Sequence, residues 1–220
     1  MIVLHHAPSS AAMAPHILLE ELGVPFELRP VDLEARTHKA PDYLRLNPNG
    51  TVPVLVVDDA PGGPLVLWES AAICLHLADM HPSAGLAPLP GTPARAHFYK
   101  WLTWLTNTLQ ATLISYFYPE RWVAEGHAAA AAEVKACAEA RAGALVDVLE
   151  AELARDRRPW LLGAEWTAVD AYALMLCRWT RHFARPASRL PTLGDCLRRG
   201  LERPAVRAVF ERERIPRPWV

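Results

Sequence analysis

Only three of the 220 residues are lysine (Lys39, Lys100 and Lys135), no dense run of basic side chains occurs, and the formal net charge is −1. So balanced a chain lacks the positive field that draws polyanions, which argues against non-specific nucleic-acid binding. No stretch of about 18 uninterrupted apolar residues is present, so no membrane-spanning helix is expected. The start, MIVLHHAPSS, has neither the basic residues nor the long apolar run of a secretory leader, and a cytoplasmic protein is the expectation. The four cysteines (Cys74, Cys137, Cys177, Cys196) form no CxxC pair and lie in segments with helical patterning, where a free thiol behaves as a small apolar residue. His5, His6 and His16 have no third ligand at zinc-like spacing, so no metal is expected. What the chain does have is core material: 51% of its residues are hydrophobic, enough for one large domain or two small ones.

The order of elements divides the chain. Ile2–Leu4 is a short apolar strand; the turn Pro8-Ser9-Ser10 precedes a helix that stops at Gly23; Phe26 to Val31 alternates as a second strand. A polar stretch from Asp32 to Lys39 leads to a short helix ending near Leu46. Val52–Val57 and Leu65–Trp68 read as two strands joined by a loop over 59–64, and a helix follows from Ser70 to about Met80. Residues 82–93 then concentrate prolines and glycines as an interdomain linker does. Beyond it strand signals cease. Phe98, Trp101, Leu102, Leu105, Leu109 and Leu113 keep helical spacing, 128–154 is an Ala-rich helix, and Thr167-Ala168-Val169-Asp170 matches the helix-opening pattern [ST]-x-x-[DE]. The expected organisation is an α/β domain over 1–81, a linker over 82–93 and an all-α bundle over 94–220.

One arrangement inside the first domain asks for a functional reason. Asn47-Pro48-Asn49-Gly50-Thr51-Val52-Pro53 places a proline, which cannot donate to a sheet ladder, at the head of an apolar strand. A cis Val52–Pro53 bond would turn the Val52 N–H and C=O outward as an edge for an extended peptide ligand. Glu69-Ser70, opening the next helix, offers a negative charge, a hydroxyl and free N–H groups, a set suited to an amino-acid zwitterion or, more plainly, to capping the helix.

Taken together, NPNGTVPVL, LWESAAICLHLAD, LLEELGVPFEL and, in the second half, RPWLLGAEWTAVDAY resemble the cytosolic glutathione S-transferase family of bacterial type, over essentially the whole chain. The resemblance implies a thioredoxin-like N-terminal domain followed by a helical bundle, a homodimer, and conjugation of glutathione to small electrophiles as a detoxification chemistry. It implies that Val52, beside Pro53, pairs with the cysteinyl backbone of glutathione and that Glu69 and Ser70 hold its γ-glutamyl end. Lys39 and His38 are the nearest cations for the glycine carboxylate, the alternative being a solvated loop charge.

The chain departs from the family where the chemistry is done. No tyrosine ends the first strand, and counting back from Pro15-His16 puts the usual Cys-Ser pair on Ala11 and Ala12. Counting forward from the start of the helix instead makes Ser10 the thiolate-stabilising hydroxyl, with Ser9 beside it; either also suits a simple helix cap. Without a cysteine here a glutathionyl-enzyme mechanism is disfavoured. The electrophile site implied by the family draws on the first helix of the bundle, where Trp101, Trp104, Asn107, Thr108, Tyr116 and Arg121 are candidates, although aromatic rows at helical spacing are more often core. Two other readings stay open: a non-catalytic relative serving as a binding or regulatory module, which Ala11 and Ala12 favour, and a glutathione-dependent peroxidase or disulfide reductase.

Overall fold

In the computed structural model, which describes residues 1–220, the apolar segment Ile2–His6 becomes strand β1 at the middle of a four-stranded sheet. β1 pairs in parallel with β2 (Phe26–Pro30) and antiparallel with β3 (Val54–Val57), and β3 pairs antiparallel with β4 (Leu65–Trp68), giving the order β2-β1-β3-β4. A parallel pair needs a crossover, and helix α1 (Met13–Leu22) supplies it. Gly23 ends α1 at φ 62, a left-handed conformation that glycine adopts without a Cβ penalty. Met13, Ile17, Leu18 and Leu19 of α1 are fully buried, each contributing about 1.5–3 kcal/mol of apolar burial, and α1 packs on α3 (Ser70–Met80), which buries Ile73, Cys74 and Leu77. With the short helix α2 (Pro41–Leu46) this is the thioredoxin-like α/β arrangement expected from the sequence.

Two boundaries differ from the sequence reading. The third strand opens at Val54, since Pro53 has no N–H for the ladder, and Val52 lies outside the sheet with a cis bond to Pro53. Residues Glu202–Pro216 group with Met1–Ala87, while Pro88–Leu201 and Arg217–Val220 form the second compact unit. Helix α9 (Pro204–Arg212) brings the tail back: it buries Ala205, Val206, Val209 and Phe210, packs on α1, and is clipped to it by Arg203–Glu21 at 2.5 Å and Arg212–Glu20 at 2.8 Å. An amphipathic stripe shows that a helix is covered, not what covers it.

The second unit is helical throughout. Thr92 caps α4 (Pro93–Trp104) by accepting the Arg95 N–H, and the helix continues through a π-helical segment, Leu105–Gln110, into α5 (Ala111–Phe117). α6 (Ala128–Asp156), α7 (Ala168–Trp179) and α8 (Pro191–Leu201) follow. Every residue of α7 is buried, and the capping box read from Thr167 and Asp170 forms at its start. No helix is long and apolar enough to cross a membrane.

Candidate functional site

Strand register brings the predicted site segments of the first unit to one end of the sheet. His5 lies opposite Val54, and Val54 opposite Trp68, so the turn after β1, the Val52–Pro53 step before β3 and Glu69-Ser70 after β4 all emerge together. β2 runs parallel to β1 with His6 opposite Pro30, which delivers the segment leading to His38 and Lys39 to the same end. Ligands of α/β sheets gather at such an end, where loops diverge and a helix N-terminus points in.

The Val52 N–H and C=O form no hydrogen bond within the chain, so the edge inferred from the sequence is open. What precedes it is held tightly. Tyr43 Oη and Asn47 Nδ2 both donate to the Thr51 carbonyl, at 2.9 and 2.8 Å, and Asn47 Oδ1 accepts the Asn49 N–H. Burial pushes the Tyr43 phenol up to about 12, so it remains a donor at any physiological pH. Lys39 Nζ donates to the Asn49 and Gly50 carbonyls at 3.0 and 2.9 Å, which uses two of the three ammonium protons and leaves one for an incoming carboxylate. His38 next to it has its pKa lowered, by desolvation and then by the Lys39 and Arg36 charges, and it offers a neutral ring rather than a second cation.

Gly50 sits inside this cradle at φ +56, where an added Cβ would lie 2.7 Å from the His38 carbonyl and 2.8 Å from Lys39 Nζ. Gly50→Ala is expected to lower unfolding free energy by ~2 kcal/mol, through both the unfavourable backbone conformation and the clash. A denaturant midpoint equal to wild type would show that the cradle yields instead.

At the start of α3, Glu69 occupies φ 75, ψ 113, which a side-chain-bearing residue adopts only when its surroundings enforce it. Its carboxylate is exposed and does not cap the helix, and the buried Ser70 hydroxyl bonds to no group of the chain. The plain capping role is therefore not what these two side chains perform.

The turn after β1 is fastened from both sides. Ser10 Oγ donates to the Ala7 carbonyl at 2.7 Å and accepts the Ala12 N–H at 3.2 Å, so its hydroxyl braces the turn, while the Ala11 N–H meets no acceptor in the chain. Ser9 takes φ 60, and its N–H donates to Glu213 Oε2 at 2.9 Å. The other oxygen of Glu213 lies 2.8 Å from His16 Nδ1 and 4.0 Å from His6 Nδ1, in a pocket where the Glu213 and His16 side chains are wholly buried. Opposite a carboxylate at that distance Nδ1 carries the proton. Burial holds the His6 pKa down, against a weaker pull upward from Glu213. Sequence reasoning gave His5, His6 and His16 no metal role and passed over Glu213, whose partners His16 and Ser9 lie 197 and 204 residues away in the chain.

In the helical unit the electrophile candidates part company. Asn107 and Thr108 line a groove of about 630 Å³ between the α4–α5 helix and α6. Trp104 packs edge-on against Trp101 at 5.4 Å, Tyr116 sits against Phe183 at 4.6 Å with the Lys135 ammonium over its ring, and Arg121 stacks on Tyr118 at 3.9 Å. Trp101 is 5% exposed and belongs to the core.

A family model described as glutathione S-transferase, N-terminal domain, matches residues 8–80, the stretch that holds the turn, the Val52 edge and the α3 start. A glutathione S-transferase of Xanthomonas campestris pv. campestris is 33% identical over 210 residues, covering 96% of this chain and 98% of its own. The chain belongs to the glutathione S-transferase family. A sphingomonad glutathione S-transferase solved in complex with glutathione superimposes with a TM-score of 0.82 at 30% identity, over 97% of this chain and 100% of that one. A glutathione transferase homologue from Sulfitobacter with bound glutathione gives 0.86 at 25% identity, over 96% and 98%.

Proposed function

We propose that the first unit binds glutathione extended along Val52, and that the protein adds the glutathione thiolate to a small apolar electrophile. The observation that carries this reading is the unpaired Val52 backbone, with Pro53 behind it, at the same end of the sheet as the unengaged Glu69 carboxylate and Ser70 hydroxyl. Val52 exchanges two backbone hydrogen bonds with the cysteinyl residue of glutathione. Glu69 and the α3 N-terminus take the γ-glutamyl ammonium and carboxylate, and the spare Lys39 proton takes the glycine carboxylate, with His38 beside it as a neutral neighbour.

A free thiol with a pKa near 8.5 is only a few per cent ionised at neutral pH. Ser10, rotating its proton from the Ala7 carbonyl to the bound sulfur, stabilises the thiolate; Ser9 is the neighbouring hydroxyl. The thiolate then forms a carbon–sulfur bond, either as the carbon–halogen bond breaks and halide leaves with its electron pair, or by addition to an activated alkene, whose displaced π pair takes up a proton from water. Asn107 and Thr108 border the acceptor, with Trp104, Tyr116 and Arg121 shaping the helix that carries them. We place this activity in a cytoplasmic homodimer engaged in detoxification, as in the family at large.

A second reading is favoured by the Ser10 geometry itself. Since that hydroxyl already braces the turn, the Ala11 N–H is the free donor of the first turn and stabilises the thiolate in its place. Ultraviolet titration of glutathione thiolate on wild type and Ser10→Ala, with calorimetric binding alongside, separates the possibilities. A depressed thiol pKa that returns to the free value in Ser10→Ala assigns the role to the hydroxyl, and one that persists assigns it to the backbone. Binding with an unshifted pKa in wild type would leave a non-catalytic glutathione-binding protein.

A further inference from the structure

The Val52 edge is aimed by groups that are not part of it. Its N–H belongs to the Thr51–Val52 peptide unit, which is trans, and in a planar trans unit the carbonyl of one residue and the N–H of the next point in opposite directions. Whatever fixes the Thr51 carbonyl therefore fixes the direction of the Val52 N–H. That carbonyl accepts from Tyr43 Oη at 2.9 Å and from Asn47 Nδ2 at 2.8 Å, so both of its lone pairs are in use.

The two donors are themselves held. Asn47 is buried; its Oδ1 accepts the Asn49 N–H at 3.0 Å, which turns the amide nitrogen towards Thr51, and the second proton of that nitrogen goes to Thr51 Oγ1 at 3.1 Å. Tyr43, on α2, is buried with Val31 and Val54 in a small apolar cluster on which the Val52 side chain also packs, and the His5 ring meets it edge-on at 5.8 Å. A flip of the 51–52 peptide plane would take the Thr51 carbonyl away from both buried donors, which is costly. It would also bring that carbonyl to the place of the Val52 N–H. An incoming peptide would then face two acceptors and no donor.

We infer that Tyr43 and Asn47 are positioning residues of the peptide-binding edge: by gripping the Thr51 carbonyl they hold the Val52 N–H outward, towards the cysteinyl carbonyl of glutathione. The identity of that ligand rests on the reading of Val52 as the glutathione edge; the orienting role rests on the hydrogen bonds alone. Both side chains act through the peptide plane, since Asn47 spends all three of its amide hydrogen bonds, and Tyr43 its hydroxyl proton, within the chain.

Tyr43→Phe removes one of the two donors and leaves the ring. Titration calorimetry on the full-length protein is expected to show glutathione bound roughly three- to tenfold more weakly, the worth of one hydrogen bond. In the same variant, 15N relaxation of the Val52 amide should show the plane loosening: an order parameter of about 0.85 in wild type that drops below about 0.6, or exchange broadening that wild type lacks. Asn47→Ala should move both readouts the same way and further, with a circular-dichroism melt to check that each variant is folded. A merely structural role would lower the melting temperature and leave the Val52 amide as ordered as in wild type. That result, or unchanged glutathione affinity in folded Tyr43→Phe, would overturn the inference. If wild type binds no glutathione while the variants still lose order at Val52, the orienting role stands and the glutathione reading falls.

Discussion

Asp170→Ala is expected to lower the unfolding free energy by about 3–5 kcal/mol, the largest loss for any single side chain in the helical unit. Asp170 is 3% exposed, and its two oxygens serve three donors: the Leu161 N–H at 2.8 Å on Oδ1, and the Thr167 N–H and hydroxyl, each at 2.9 Å, on Oδ2. Truncation leaves those buried donors unsatisfied, opens a void, and uncaps α7, the helix buried along its whole length. Equilibrium denaturation monitored by tryptophan fluorescence reads the effect, since Trp160, Trp166 and Trp179 are all buried in this unit. A loss under about 1 kcal/mol would show that water enters and replaces the carboxylate.

The pH dependence of that loss has a definite sign. Desolvation by burial raises the Asp170 pKa to about 6, despite the opposing hydrogen bonds from Leu161 and Thr167. A carboxyl whose folded pKa lies above its unfolded value favours folding fully below the unfolded value, and that contribution is lost as pH rises through the folded one. For a shift of about two units the change is about 3 kcal/mol between pH 4 and pH 7. The gap between wild type and Asp170→Ala should therefore widen as pH falls through that window. A gap that narrows instead would mean that the carboxylate is held ionised. His5 and His6 work in the other direction, because burial lowers their pKa values and folding is disfavoured as pH falls below about 6.5.

Glu213→Ala is expected to cost a similar ~3–5 kcal/mol, for a different reason. The side chain, fully buried, is the acceptor for both the Ser9 N–H and His16 Nδ1, and its removal leaves two orphaned groups beneath the turn that bears Ser10. Glu213→Gln keeps one carbonyl oxygen and should lose about half as much. His6 supplies a second readout. Glu213 is the neighbour that opposes desolvation of His6, so without it the His6 pKa falls further and the acid limb of the stability curve below pH ~6.5 should steepen. Equal stability of the alanine variant and wild type at pH 7 would show that α9 holds the tail through its apolar stripe and the Arg203–Glu21 and Arg212–Glu20 pairs alone.

What the sequence determined by itself was local or periodic. The apolar runs Ile2–Leu4 and Leu65–Trp68, glycine after α1, the cis Val52–Pro53 step, and Thr167 three residues before Asp170 each follow from what one backbone segment permits, and each stands in the structure where the sequence placed it. The order of those segments also sufficed for the thioredoxin-like unit followed by helices, since few topologies accept it. Only the tertiary structure decided what depends on separation in the chain. The Lys39 ammonium bolted to the 49–50 carbonyls, and Glu213 reaching from the tail to Ser9 and His16, are matters of which groups fold back within 3 Å. The same holds for the groove that Asn107 and Thr108 line, which exists only because two helices lie side by side. Periodicity reports that a face is covered; hydrogen-bond geometry, which no period encodes, determines by what.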